Sequence, residues 1–356
     1  MSCQYYCLYF HFIFQINTLS IVYIVLLTPS VIGSFSVLVT SIVKWRRLKN
    51  QVHLLVQLTL ADLLAALILM LTSVSNKIEA NTDIMCQFSL PLSLTFYFIS
   101  FLLVVVYAWK SKNAVQGWRD TAKDDDHRRS QCRRTMVAIP IYIIVWVVPL
   151  ACYLAYVIAV RIGTSQLIPV TTRSPDMTTQ NNNTSCNSCI LFLHIWNNSC
   201  SVERTENKFV DKFIRIVLVI VVISVMIVCS FIYYKVEKWY EWRTHGGLFP
   251  IEGDGRSRRR FKRELSTARN MVFVILICWA PALLLILLST LNLPDVKPHN
   301  LFALYLLQAA TVSLQGFLNS MVYAWRRPNF TEAVLGESMP LLGYHHMAFF
   351  DESLVS

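Results

Sequence analysis

The chain has 356 residues, of which 55% are hydrophobic and only 15% charged. So few charges leave too little polar surface for a water-soluble body of this length, which excludes a soluble enzyme, a nucleic-acid-binding domain and a disordered regulator. The formal net charge of +11 says nothing about partners until its position along the chain is known.

Spans are placed wherever roughly 20 predominantly apolar residues, enough to cross a hydrocarbon core of about 30 Å, lie between polar flanks. Residues 1–18 lack a positive n-region and a small-residue cleavage site, so they read as an extracellular tail rather than a signal peptide, and the first span acts as the anchor. The spans then follow as Leu19–Val43, Leu54–Val74, Gln87–Trp109 and Met136–Val160. A long loop, 161–212, leads to Phe213–Tyr234, Met271–Leu291 and Leu301–Trp325, and residues 326–356 form a cytoplasmic tail. Apolar runs of this length without polar alternation predict helices, because a barrel uses strands of about ten alternating residues. Pro29, Pro91, Pro140, Pro149 and Pro281 fall inside spans, where neighbouring helices satisfy the backbone groups that proline frees. The predicted fold class is all-α, a bundle of seven transmembrane helices spanning 19–325.

Charge sets the orientation. Segments 1–18, 75–86, 161–212 and 292–299 carry none, one, five and one Lys or Arg. The alternate segments 44–53, 110–134, 235–269 and 326–356 carry four, eight, ten and two. Cationic loops stay cytoplasmic, so the amino terminus is expected outside and the carboxyl terminus inside. The net charge is then mostly a topology signal, with some attraction to anionic inner-leaflet lipid. The same reading covers the run Arg256–Arg263 in the loop 235–269, while Asp124-Asp125-Asp126 beside His127-Arg128-Arg129 reads as a self-neutralising loop.

Sequons and cysteines agree with this orientation. N-x-S/T triplets begin at Asn182, Asn183 and Asn197, all in the loop that charge places outside. Cys3, Cys7, Cys86, Cys186, Cys189 and Cys200 also fall outside, where disulfides persist. Cys86 sits at the outer mouth of the third span, so a bridge from it to one of Cys186, Cys189 and Cys200 is expected, with the choice among the three open. The Cys186–Cys189 spacing has no paired histidines or second Cys pair to complete a zinc site.

An ionised group inside a span is costly and therefore informative. Of 21 acidic residues only Asp62 lies deep in a span. Asn319, at similar depth in the seventh span, is its expected partner, with Ser34, Ser313 and Gln315 as further polar neighbours. Such a cluster holds a cation, ordered water or a protonated carboxyl, or serves only as a polar knot between helices. Other classes fail on absence. No lysine lies between Asn300 and Trp325 to form a retinal Schiff base, and His11, His53, His127, His194, His245, His299, His345 and His346 all lie outside the span interiors. No nucleophile and base share membrane depth, so neither an enzyme nor a cofactor is expected. One intramembrane carboxyl and no internal repeat give little support to an ion pathway.

Several motifs stand in order on these helices. Leu60-Ala61-Asp62-Leu63-Leu64 resembles the second-helix signature of rhodopsin-class G-protein-coupled receptors, and Trp146 resembles their fourth-helix tryptophan. Cys278-Trp279-Ala280-Pro281 is similar to their sixth-helix C-W-x-P, and Asn319-Ser320-Met321-Val322-Tyr323 to N-P-x-x-Y with Ser320 in place of proline. Arg326-Arg327-Pro328-Asn329-Phe330 is placed to begin a short amphipathic helix on the inner leaflet. Two departures accompany these. Tyr107-Ala108-Trp109-Lys110-Ser111 stands where the class has D/E-R-Y, and Gly33-Ser34 stands where it has Gly-Asn. Cys278–Trp325, with Leu304-Tyr305-x-Leu307-Gln308-Ala309, Gln315-Gly316-x-Leu318-Asn319 and Val322-Tyr323-x-Trp325, resembles the transmembrane protein 116 family, which is receptor-like.

The resemblance implies a rhodopsin-like receptor of the plasma membrane. Its polar switch would comprise Asp62, Asn319, Tyr323 and Ser34, and its sixth-helix hinge Trp279 and Pro281. An unidentified extracellular ligand would enter beneath the tethered loop and meet Tyr97, Phe98, Arg215, Trp279 and Gln308. Arg215 either attracts an anionic group of that ligand or snorkels to the outer headgroups. The lipid bilayer aside, the implied partner is a heterotrimeric G protein or another cytoplasmic transducer; no nucleic acid is expected. The missing D/E-R-Y pair keeps a second reading open, a non-signalling scaffold or trafficking protein with the same bundle.

Overall fold

The computed structural model describes residues 2–43, 52–78, 83–120, 127–161, 255–290 and 301–326 and parts of 219–238, with side chains chiefly in 14–43, 53–78, 88–110, 141–161, 269–288 and 301–322. Among these residues every regular element is a helix: α1 (Ser2–Val43), α2 (Val52–Lys77), α3 (Asp83–Asp120), α4 (His127–Arg161), α5 (Gly255–Thr290), α6 (Phe302–Ser313) and α7 (Gln315–Arg326). Five stretches are long and apolar enough to cross a membrane: Phe14–Val43, His53–Lys77, Phe88–Lys110, Ile141–Ala159 and Arg269–Leu288. They correspond to the first four predicted spans and the sixth. The fifth, Phe213–Tyr234, lies only partly within the described residues, which are helical where described between 219 and 238. The seventh is divided, with twelve residues in α6 and twelve in α7 on either side of Leu314.

Helices extend beyond the apolar spans where the residues favour it. α1 starts at Ser2 rather than near Leu19, because no glycine or proline interrupts the chain before Pro29. α5 starts at Gly255, well before the apolar stretch. Its leading segment, 255–270, carries six arginines with one each of Lys, Glu, Leu and Ala, which propagate helix without apolar periodicity. Hydropathy finds the lipid-length part of a helix; propensity decides how far the helix continues.

The packing places α2 and α3 at the centre. α1 and α3 flank α2, α7 lies against α1, α2 and α5, and α4 rests on the outer side of α3. Ala61, Ala65 and Ala66 are buried on α2, and their small side chains let the neighbouring backbones approach closely. Leu58, Leu69, Ile99, Phe101, Leu103, Met271 and Trp279 fill the middle. The outside is apolar: Ile21, Val25, Ile32 and Phe35 on α1, and Ile143, Ile144, Val147 and Val148 on α4, are all exposed. Meanwhile Ser30, Ser34, Asp62, Ser100, Gln308, Gln315 and Asn319 are buried. Apolar outside and polar inside is the distribution that hydrocarbon solvent selects and water does not.

Candidate functional site

Asp62 lies in the middle of α2 and is 1% exposed. A carboxyl group there needs hydrogen-bond donors, since an unpaired buried polar group costs about 1–3 kcal/mol. Three arrive from two other helices. The Ser100 hydroxyl on α3 donates to Oδ1 at 2.7 Å, the Gln315 amide donates to the same oxygen at 3.2 Å, and the Asn319 amide donates to Oδ2 at 2.7 Å. Gln315 and Asn319 are four residues apart on α7, one helical turn, so one face of α7 presents both amides to α2. Gln315 also donates to Ser100 Oγ at 3.4 Å, closing a ring across α2, α3 and α7.

Gln315 carries the network to α5. Its amide nitrogen faces Asp62, and its Oε1 accepts from the Trp279 indole Nε1 at 2.6 Å. Tyr97 and Phe101 of α3 meet the Trp279 rings edge to face, with centroids 5.4 and 5.0 Å away and planes at 70° and 89°. Such packing leaves the indole little freedom to turn independently of α3. Two residues on, Pro281 has no N–H and leaves the Ile277 carbonyl without its helical partner. The adjacent Cys278 carbonyl accepts from the Thr311 hydroxyl of α6 at 2.9 Å. The weak point of α5 is therefore supported from the side by α6.

A second polar pair lies on the other side of α6. The Gln308 amide donates to the Tyr23 hydroxyl of α1 at 2.9 Å, and both residues are fully buried. Tyr97 Oη reaches the Val312 carbonyl at 3.5 Å. Among the described residues, the buried acceptors Gln308 Oε1 and Asn319 Oδ1 of these two groups find no hydrogen-bond partner.

The residues anticipated from sequence distribute as follows. Asp62, Asn319 and Gln315 meet directly. Ser34 donates instead to the Gly316 carbonyl at 3.5 Å, because its turn of α1 faces α7 rather than α2. Tyr323 is a helical residue of α7 one turn beyond Asn319, and its side chain lies outside the described residues. Tyr97, Trp279 and Gln308 are buried within packing, and Phe98 is half-buried against the core. Arg215, Cys186, Cys189, Cys200, Asn182, Asn183 and Asn197, and the side chain of Cys86, lie outside the described residues.

Ser100, Phe101 and Tyr23 were not singled out from sequence. Ser93 and Ser100 are seven residues apart, hence on one face of α3, and both are fully buried. Ser93 donates to the Ala65 carbonyl of α2 at 3.1 Å. Two small hydroxyls at that spacing in an apolar helix mark the face turned to α2, a signal available in the sequence.

At the end of the apolar stretch of α3, Tyr107 and Ala108 are buried, and the Lys110 ammonium lies 4.6 Å from the centroid of the Tyr142 ring on α4. The cation is held on an aromatic face within the segment Tyr107–Ser111 singled out from the sequence.

The sequence model of transmembrane protein 116 matches residues 16–339, a stretch that contains every residue of this network. The chain belongs to the transmembrane protein 116 family. Family membership and the apolar helices together make it an integral membrane protein.

Proposed function

Starting from membership of a transmembrane family, we propose that this chain is a signalling receptor of the plasma membrane, a seven-helix bundle of rhodopsin-like plan with its amino terminus outside. The observation that carries this reading is the unbroken line of hydrogen bonds from Asp62 through Gln315 to Trp279, which couples α2, α3, α5 and α7. In this reading an extracellular ligand displaces the packing around Tyr97 and Trp279. Trp279 moves with Gln315, and α5 bends at Pro281, where the backbone ladder is already incomplete. The inner, basic end of α5 then swings and is read by a heterotrimeric G protein or another cytoplasmic transducer. The two unpartnered acceptors favour rearrangement, since a second arrangement that pairs them regains part of their desolvation cost.

Transducer recruitment at the plasma membrane tests the proposal without knowledge of the ligand. Basal recruitment of at least one transducer class is expected, and it should change in Asp62→Asn at matched surface expression. Identical profiles across all classes contradict it. A non-signalling scaffold is the second reading, and the seating of Lys110 on Tyr142 favours it, because that contact supplies no acid–arginine latch. An ion pathway predicts membrane current altered by Asp62→Asn, and silent patches dismiss it.

A further inference from the structure

In an uninterrupted α-helix the amide of residue 317 bonds the carbonyl of residue 313. In the seventh span a side chain from another helix takes both groups. The Ser30 hydroxyl of α1 donates to the Ser313 carbonyl and accepts from the Phe317 amide at 3.1 Å. A hydroxyl has one donor and two acceptor lone pairs, so it can join both ends of an opened ladder bond. We propose that Ser30 is a splice: its inserted hydroxyl divides the seventh span into α6 and α7 and sets the angle at which α7 presents Gln315 and Asn319 to Asp62.

Four observations support this. The break is bounded by ordinary ladder bonds, Leu314 N to the Ala310 carbonyl at 3.2 Å and Leu318 N to the Leu314 carbonyl at 2.9 Å. No proline lies between Phe302 and Arg326, and the Ser30 hydroxyl stands between the two opened groups as an inserted side chain does. The approach depends on Gly316, where an added Cβ would stand 3.0 Å from Ser34 Oγ and 3.4 Å from Ser30 Cβ. Finally, Ser30 is fully buried, so water does not compete for the hydroxyl. Just beyond the break the Gly316 carbonyl accepts from Ser34 at 3.5 Å and from Ser320 at 2.7 Å, a second tie between α1 and α7.

The consequence is a two-position device. Either the hydroxyl bridges residues 313 and 317, or it turns back to a carbonyl of its own helix and they bond each other, so that two hydrogen bonds are exchanged for two. Displacement of α1 is thereby converted into a change in the direction of α7. This inference concerns geometry alone and stands whether or not the chain signals.

The test uses the full chain in lipid nanodiscs with spin labels at the exposed positions Ile143 on α4 and Met321 on α7, attached through noncanonical residues so that native cysteines stay unmodified. Met321 lies seven residues past Leu314, so a bend change of about 20° displaces it by roughly 3–4 Å. Ser30→Ala and Gly316→Ala should both shift the mean pulsed-dipolar distance by about that amount and in the same direction. Ser36→Ala removes a hydroxyl that bonds only within α1 and should leave the distance unchanged. The splice is overturned if the first two variants keep the native distance, or if Ser36→Ala moves it equally. Should Ser30→Ala fail to fold, Gly316→Ala decides alone.

Discussion

Asp62 is held by three neutral donors from two helices, so its removal leaves buried donors unpaired as well as deleting the acid. Asp62→Ala leaves Ser100, Gln315 and Asn319 without their acceptor and is expected to lower stability by about 2–4 kcal/mol. Asp62→Asn retains one acceptor oxygen and should cost clearly less. Thermal unfolding of both variants in one detergent checks this order, and equal losses would contradict it. Trp279→Phe keeps an aromatic ring against Tyr97 and Phe101 but removes the donor to Gln315. A loss of about 1–3 kcal/mol is expected, and an unchanged melting temperature would show that the indole bond contributes nothing. The Asp62–Asn319 pair was legible in the sequence because an intramembrane acid is rare and a carboxamide at similar depth is its natural partner. Ser100 was less legible, since serine is common in apolar helices, and Tyr23 reads as one more apolar residue until Gln308 is seen beside it. Gln308 itself was expected to line a ligand pocket. Its bond to Tyr23 became visible only once α1 and α6 were placed together.

At the scale of the element, the seventh span shows most clearly what a sequence withholds. Residues 301–325 read as one continuous apolar helix without proline, and the break at Leu314 was not expected from them. Its cause lies 283 residues away, on α1, and a cause at that separation leaves no local pattern. The two glycines at the α1–α7 contact make opposite predictions. An alanine methyl at Gly316 would stand 3.0 Å from Ser34 Oγ, whereas one at Gly33 would find Phe317 Cδ2 at 3.4 Å and Ser320 at 3.5 Å. Gly316→Ala should therefore destabilise by about 1–3 kcal/mol through overpacking. Gly33→Ala should stay within about 0.5 kcal/mol of the native protein, in the range of a substitution that disturbs little. Thermal unfolding distinguishes the pair, and equal behaviour would contradict the geometry of this contact. The basic leading turns of α5 teach a related lesson. Hydropathy placed the start of the sixth span near Met271, but the helix continues back to Gly255 because its residues favour helix without favouring lipid.

Across its described residues the molecule is arranged for an apolar solvent, with isoleucine, valine and phenylalanine outward and hydroxyls, amides and Asp62 inward. That much was legible from composition and from the length of the apolar runs, because both follow directly from hydrocarbon thickness. Orientation rests on a different property, the distribution of Lys and Arg, of which the long loop 161–212 carries five and the segment 235–269 ten. The proposed orientation would place Asn182, Asn183 and Asn197 in the lumen during synthesis. Replacing all three with Gln should abolish any shift in mobility on glycosidase treatment, and a shift that persists would move the sugar elsewhere. The proposal as a whole depends on the two ends of the chain facing opposite compartments, and epitope tags at both ends measure this in intact and permeabilised cells. The account predicts an amino-terminal tag stained on intact cells and a carboxyl-terminal tag stained only after permeabilisation. Both tags stained in the same condition would contradict it.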